Sequence, residues 1–74
     1  MIVTIYGAEW CAPCQRTKKL CEDRGYEYEF IFAQIDPVAK ELFAEKGWKT
    51  IPQIFVDDEY IGGAEEFFKI YQNK

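Results

Sequence analysis

Residues 2–6, Ile-Val-Thr-Ile-Tyr, form a short β-branched apolar run that does not alternate between apolar and charged positions. Such a run reads as a strand buried on both faces, at the centre of a sheet. This feature constrains the fold most strongly. A central strand of that kind needs cover above and below, which points to one sheet with helices packed on both sides.

The rest of the chain supplies that cover. Gly7 breaks the run. A helical pattern follows over Ala12–Arg24, with Cys14, Thr17, Leu20 and Cys21 on one face, and Gly25 is its C-terminal cap. Residues 26–32 alternate, with Tyr26, Tyr28, Phe30 and Phe32 on one side and Glu27, Glu29 and Ile31 on the other. That is a second strand with one wetter face. Asp36 and Pro37 make an N-cap and first-turn pair. The helix they open is expected to carry Val38, Leu42 and Phe43 inward and to stop near Gly47. Residues 50–56 are strand-like after their proline, Asp57 and Asp58 supply a turn, and residues 59–63 return as a short strand. From Ala64 the spacing of Phe67, Phe68 and Tyr71 is helical, with Glu65 and Glu66 in the first turn, where carboxylates favour the helix dipole. The order is β-α-β-α-β-β-α in one α/β domain over residues 1–74. The first two strands should be parallel with a right-handed crossover; the last two form a hairpin. The sheet is therefore mixed and four-stranded, flanked by three helices.

With 74 residues, of which 49% are hydrophobic and 18% aromatic, the chain can close a small core. No segment approaches the roughly 20 apolar residues of a membrane helix, and the N-terminus lacks a basic leader region. A cytoplasmic location is the expectation. A net charge of −4 carries no basic footprint for nucleic acid. Neither nucleic acid nor membrane is expected as a partner.

The three cysteines, Cys11, Cys14 and Cys21, are too few and odd in number for a secreted disulfide framework. Cys11 falls where a strand ends and a helix begins, and the free N–H groups of a helix N-terminus stabilise a thiolate. Lowering the thiol pKa from about 8.5 to about 7 there corresponds to roughly 2 kcal/mol. Cys14, three residues on, shares that side of the first turn and has more helix above it. Cys11 then attacks a substrate disulfide, and Cys14 resolves the mixed disulfide. Pro13 suits the first turn, where its missing N–H matters little.

A structural zinc site wants four Cys or His ligands, whereas this chain has no histidine and its third cysteine faces inward. The competing reading is an iron–sulfur or metal carrier that uses the pair across a dimer with thiols from outside. A third reading is an adaptor whose thiols are incidental. Cys21 reads as a small apolar core residue, with a regulatory thiol as the alternative. Trp10 is either a substrate platform or a loop anchor, and Trp48 is packing or surface cover. Pro52, after Thr50 and Ile51, either forms a cis X-Pro bond or begins a strand. Gly62 and Gly63 allow a turn into the last helix.

Three motifs in this order, Cys11-Ala12-Pro13-Cys14, Thr50-Ile51-Pro52 and Gly62-Gly63, resemble the glutaredoxin branch of the thioredoxin superfamily over essentially the whole chain. The resemblance implies a thioredoxin fold and a thiol–disulfide oxidoreductase with Cys11 and Cys14 as its redox pair. It implies a cis Pro52 against the sulfurs, with the Ile51 backbone facing outward to pair with an extended substrate, and Trp10 and Thr50 beside it. It places glutathione, a co-substrate rather than a bound cofactor, at Lys49, Gly63, Ala64 and Glu65, near a helix N-terminus. Where many glutaredoxins have a tyrosine between the cysteines, this chain has Ala12 and Pro13. Where many have a basic residue three before the first cysteine, it has Ala8, followed by Glu9. Residues 10–14 are closer to the thioredoxin centre, Trp-Cys-Gly-Pro-Cys. The implied partners are protein disulfides, with ribonucleotide reductase as a family-typical acceptor. The implied electron source is glutathione or a thioredoxin reductase, serving a monomer.

Overall fold

Strand β1 (Ile2–Gly7) lies inside a four-stranded sheet, between β2 (Glu27–Phe32) and β3 (Gln53–Val56), with β4 (Glu59–Gly62) beyond β3 at the edge. The computed structural model describes residues 1–72. β1 runs parallel to β2 and antiparallel to β3, which forms a hairpin with β4. Val3 stands opposite Val56 and Ile5 opposite Ile54. These four side chains meet Cys21 of α1 (Ala12–Arg24) and Phe67 of α3 (Ala64–Tyr71) in one buried cluster.

The other face of the sheet is aromatic. Tyr6 meets Phe43 of α2 (Pro37–Lys46) edge-on, with ring centres 6.1 Å apart, and Phe55 at 5.8 Å. Trp48 packs edge-on against Phe43 and stacks on Tyr60, at 5.0 Å and 17°. The apolar run of β1 is thus covered on both sides, which is the condition it imposed.

Local chemistry sets the helix ends. The Asp36 carboxylate accepts the Ala39 N–H at 2.9 Å, ahead of Pro37 in the first turn. α1 and α2 end at Gly25 and Gly47, both left-handed. One detail departs from the sequence reading. Val38 does not face inward: it is 72% exposed, and the fully buried position belongs to Ala39, with Leu42 and Phe43 half-buried beside it. Ala39, Leu42 and Phe43 fall at i, i+3 and i+4, and Val38 lies about 100° off that stripe. β3 begins at Gln53, directly after the proline as the sequence indicates, with Thr50 and Ile51 forming a bend that leads into Pro52.

Candidate active site

β1 delivers the chain to the redox pair. After Gly7 a short turn crosses Ala8–Trp10, and Cys11 becomes the N-cap of α1 in an extended conformation. Its Sγ accepts the Cys14 N–H at 3.3 Å, the geometry that stabilises negative charge on this sulfur. Cys11 and Cys14 are joined as a disulfide, with Cα atoms 5.2 Å apart. Cys11 is 6% exposed and Cys14 fully buried, so of the two only Cys11 keeps any contact with solvent. The turn is pinned by Ala8, whose carbonyl accepts the Cys11 N–H at 3.3 Å and the Gln15 amide at 3.4 Å. Thr17, also buried, donates its hydroxyl to the Pro13 carbonyl at 2.9 Å.

Gly7 does more than break a strand. A Cβ at this position would stand 2.6 Å from the Cys14 Sγ and 2.9 Å from its Cβ. Only glycine lets the helix bring the second cysteine this close to the sheet. The sequence held one signal of this, a glycine closing a buried strand just ahead of the cysteine pair.

The second motif meets the first in space. The Ile51–Pro52 peptide bond is cis, Pro52 is buried, and the Ile51 carbonyl oxygen lies 4.0 Å from the Cys11 Sγ. The Ile51 side chain packs against Ala8, Cys11 and Cys14. An open cleft of about 580 Å³ runs from there to the start of α3. It gathers Thr50, Ile51, Pro52, Gly63, Ala64 and Glu65.

Lys49 and Trp10 are not brought into that cleft. They line a separate pocket of about 180 Å³ with Phe43 and Trp48, and Ile51 divides the two spaces. Anchoring of Trp48 in the aromatic cluster draws Lys49 to the α2 side of Ile51. Trp10 is 70% exposed, so it offers an open aromatic surface beside Cys11 rather than a buried anchor. The cation lining the cleft is Arg16, and Glu65 and Glu66 line it as well. Sequence reading missed it, although its i, i+3 spacing from Pro13 puts it on the same helix face. It also missed Gln53 and Tyr60, which line the same cleft.

Cys21 lies apart from this chemistry, fully buried in the main core. Burial, and secondarily Glu22, push its thiol pKa up from 9.0 to about 11, the setting of an inert cysteine. Among the described residues no group of three or more His, Cys, Asp or Glu is placed to hold a metal ion. None of the described helices is long and apolar enough to cross a membrane.

Known proteins share this fold. The glutaredoxin family model matches residues 3–61. Glutaredoxin 3 of Escherichia coli is 34% identical, across 92% of this chain and 83% of that protein. The solution structure of oxidised E. coli glutaredoxin superposes with a TM-score of 0.76 at 32% identity, over 100% of this chain and 96% of the other. NrdH-redoxin of E. coli, a glutaredoxin-like protein with a thioredoxin-like activity profile, superposes with a TM-score of 0.75 at 30% identity, over 89% and 87%. These likenesses do not favour the iron–sulfur carrier reading of the same cysteine pair. The chain belongs to the glutaredoxin family: it is a thiol–disulfide oxidoreductase on a thioredoxin fold.

Proposed function

We propose that the chain reduces disulfides in polypeptide substrates by a two-thiol cycle. The observation that carries this is the asymmetry of the pair: Cys11 alone keeps some exposure, and it alone caps the helix. In the reduced protein the Cys11 thiolate attacks one sulfur of the substrate disulfide. That bond breaks, and the departing sulfur leaves as a thiolate and takes a proton. Cys14 then attacks the Cys11 Sγ, and its own proton passes to the second departing sulfur. Two electrons have moved, leaving a Cys11–Cys14 disulfide and a substrate dithiol. Thr50, Ile51 and Pro52 offer the backbone edge along which an extended substrate lies, and Trp10 gives that segment an apolar neighbour.

Glutathione is the co-substrate of the family, and the cleft gives it room. One glutathione thiolate attacks the Cys11 Sγ and breaks the Cys11–Cys14 bond, Cys14 leaving as a thiolate that takes a proton; a second attacks the glutathione sulfur of the mixed disulfide and releases Cys11 as a thiolate. Glutathione disulfide leaves and the dithiol returns. Gly63, Ala64 and Glu65 would meet the far end of the tripeptide, and Arg16 supplies the cation assigned to Lys49 on sequence grounds. A thioredoxin reductase is the second reading of the electron source. It is supported by Trp10, Ala12 and Pro13 around the cysteines, by the like charge that Glu65 and Glu66 present to glutathione carboxylates, and by the kinship with NrdH-redoxin. Ribonucleotide reductase is the proposed acceptor, and a cytoplasmic monomer the proposed working form.

The test is NADPH oxidation with insulin as the disulfide, recycled either by glutathione plus glutathione reductase or by thioredoxin reductase alone. Turnover is expected with wild type in at least one system and with Cys11→Ser in neither. Cys14→Ser should accumulate a mixed disulfide with insulin. Turnover only with glutathione assigns the cleft to that co-substrate; turnover only with the reductase removes glutathione from it. Full activity of Cys11→Ser would overturn the assigned nucleophile.

A further inference from the structure

We propose that Gln53 is a positioning residue for this reaction: its side-chain amide ties the Thr50–Pro52 loop to the rigid sheet, and so holds the Ile51 backbone ready beside Cys11. The inference rests on the substrate edge named above and adds what fixes that edge. Gln53 is the first residue of β3, directly after the cis bond, and is 6% exposed. Its main chain pairs with Tyr6 of the central strand. Its Nε2 donates to the Thr50 carbonyl at 3.1 Å and approaches the Thr50 hydroxyl at 3.4 Å. The Tyr60 hydroxyl donates to its Oε1 at 2.6 Å.

The direction of the amide follows from donor and acceptor chemistry. A carbonyl oxygen only accepts, so the nitrogen must face Thr50 and the oxygen must face Tyr60. Tyr60 is held in turn by Trp48, stacked on its ring, and by Phe55, edge-on at 5.4 Å. A line of fixed contacts therefore runs from the aromatic face of the sheet to the loop beside the disulfide. Neither Gln53 nor Tyr60 touches either sulfur, so they act through the loop. Without the amide the loop samples several positions. A substrate must then select the one with the Ile51 carbonyl near Cys11, and apparent affinity falls by the fraction of time spent there. The chemistry at the sulfur is untouched.

The test uses pre-reduced protein in single-turnover oxidation, followed by tryptophan fluorescence, with two probes. Insulin has a backbone to pair with the edge; 2-hydroxyethyl disulfide has none. Gln53→Leu should raise the half-saturating insulin concentration about tenfold, the effect of one lost well-formed hydrogen bond. Its rate with the small disulfide should stay within about twofold of wild type. Tyr60→Phe keeps the loop bonds but frees the amide to turn, and should raise the insulin value by roughly threefold. It removes only one half-exposed hydroxyl, so it carries the test should Gln53→Leu fail to fold. An insulin value within twofold of wild type in the folded variants overturns the proposal, as does equal slowing with both probes. Wild type that reacts with the small disulfide but not with insulin overturns the polypeptide-substrate reading itself.

Discussion

One helix presents three copies of the same side chain in three environments. Cys11 caps it and meets solvent, Cys14 lies beneath the turn against Gly7, and Cys21, two turns further on, is sealed among Val3, Ile5 and Phe67. Position along the helix thus separates nucleophile, resolving thiol and packing residue without any change of residue type. The Cys21 environment has a measurable consequence. Its folded pKa of about 11 lies above the ordinary 9.0, so the native state keeps a proton that the unfolded chain has already lost. Stability is then fully present below pH 9 and drains away as pH rises towards 11. Cys21→Ala should be less stable than wild type at pH 8, but should lose less between pH 8 and pH 10.5. Tyr6, raised first by burial and then by Asp36, and Tyr28, raised first by its hydrogen bond to Glu22, titrate in both proteins. The difference between the two urea-denaturation series therefore reports the thiol together with its smaller influence on Tyr28; equal losses would show that Cys21 is free to ionise in the folded protein.

At the scale of elements, the β3–β4 hairpin turns on two aspartates, both at positive φ, 50° for Asp57 and 69° for Asp58. A two-residue turn of this kind matches the twist of its strands but strains side-chain-bearing residues. Asp57 has a reason to stay. Its carboxylate accepts the Ile2 N–H at 2.8 Å and its own N–H donates to the Ile2 carbonyl at 2.9 Å, stapling the turn to the start of β1. For Asp58 the structure shows no such bond. Asp58→Gly should therefore stabilise the fold by about 0.5–1 kcal/mol in urea denaturation, and Asp57→Gly should not; a destabilised Asp58→Gly would mean the side chain holds the turn. The turn and the helix ends were legible in the sequence because Asp36–Pro37, Gly25, Gly47 and Asp57–Asp58 act through local geometry. The cysteine pair was legible because spacing along a helix fixes its facing. The side of Ile51 on which Lys49 lies was not, since Trp48 decides it through rings brought in from α2, β3 and β4. The inward place of Ala39 and the need for glycine at position 7 likewise depend on what packs against them from other elements. So do the roles of Gln53 and Tyr60, which no periodicity marks.

Across the whole molecule, the redox centre sits at one end of a scaffold whose core owes it little. The main cluster of Val3, Ile5, Cys21, Ile54, Val56 and Phe67 is separate from that of Ala8, Cys11 and Cys14. The disulfide joins residues only three apart in sequence. Closing so short a loop restricts the unfolded chain weakly, by about 2 kcal/mol at most in the chain-entropy account. Reduction also leaves Cys11 at the N-cap, where its sulfur goes on accepting the Cys14 N–H and a thiolate gains from the helix terminus. The two effects oppose each other. Oxidised and reduced forms should therefore both unfold in one cooperative transition, with stabilities within about 2 kcal/mol. Calorimetry with and without dithiothreitol measures this directly. A reduced form that lost its cooperative transition would make the disulfide a structural crosslink, and a chain that unfolded at each reduction would have to refold before every transfer. A small stability gap is what lets Cys11 and Cys14 change oxidation state on a scaffold that stays in place.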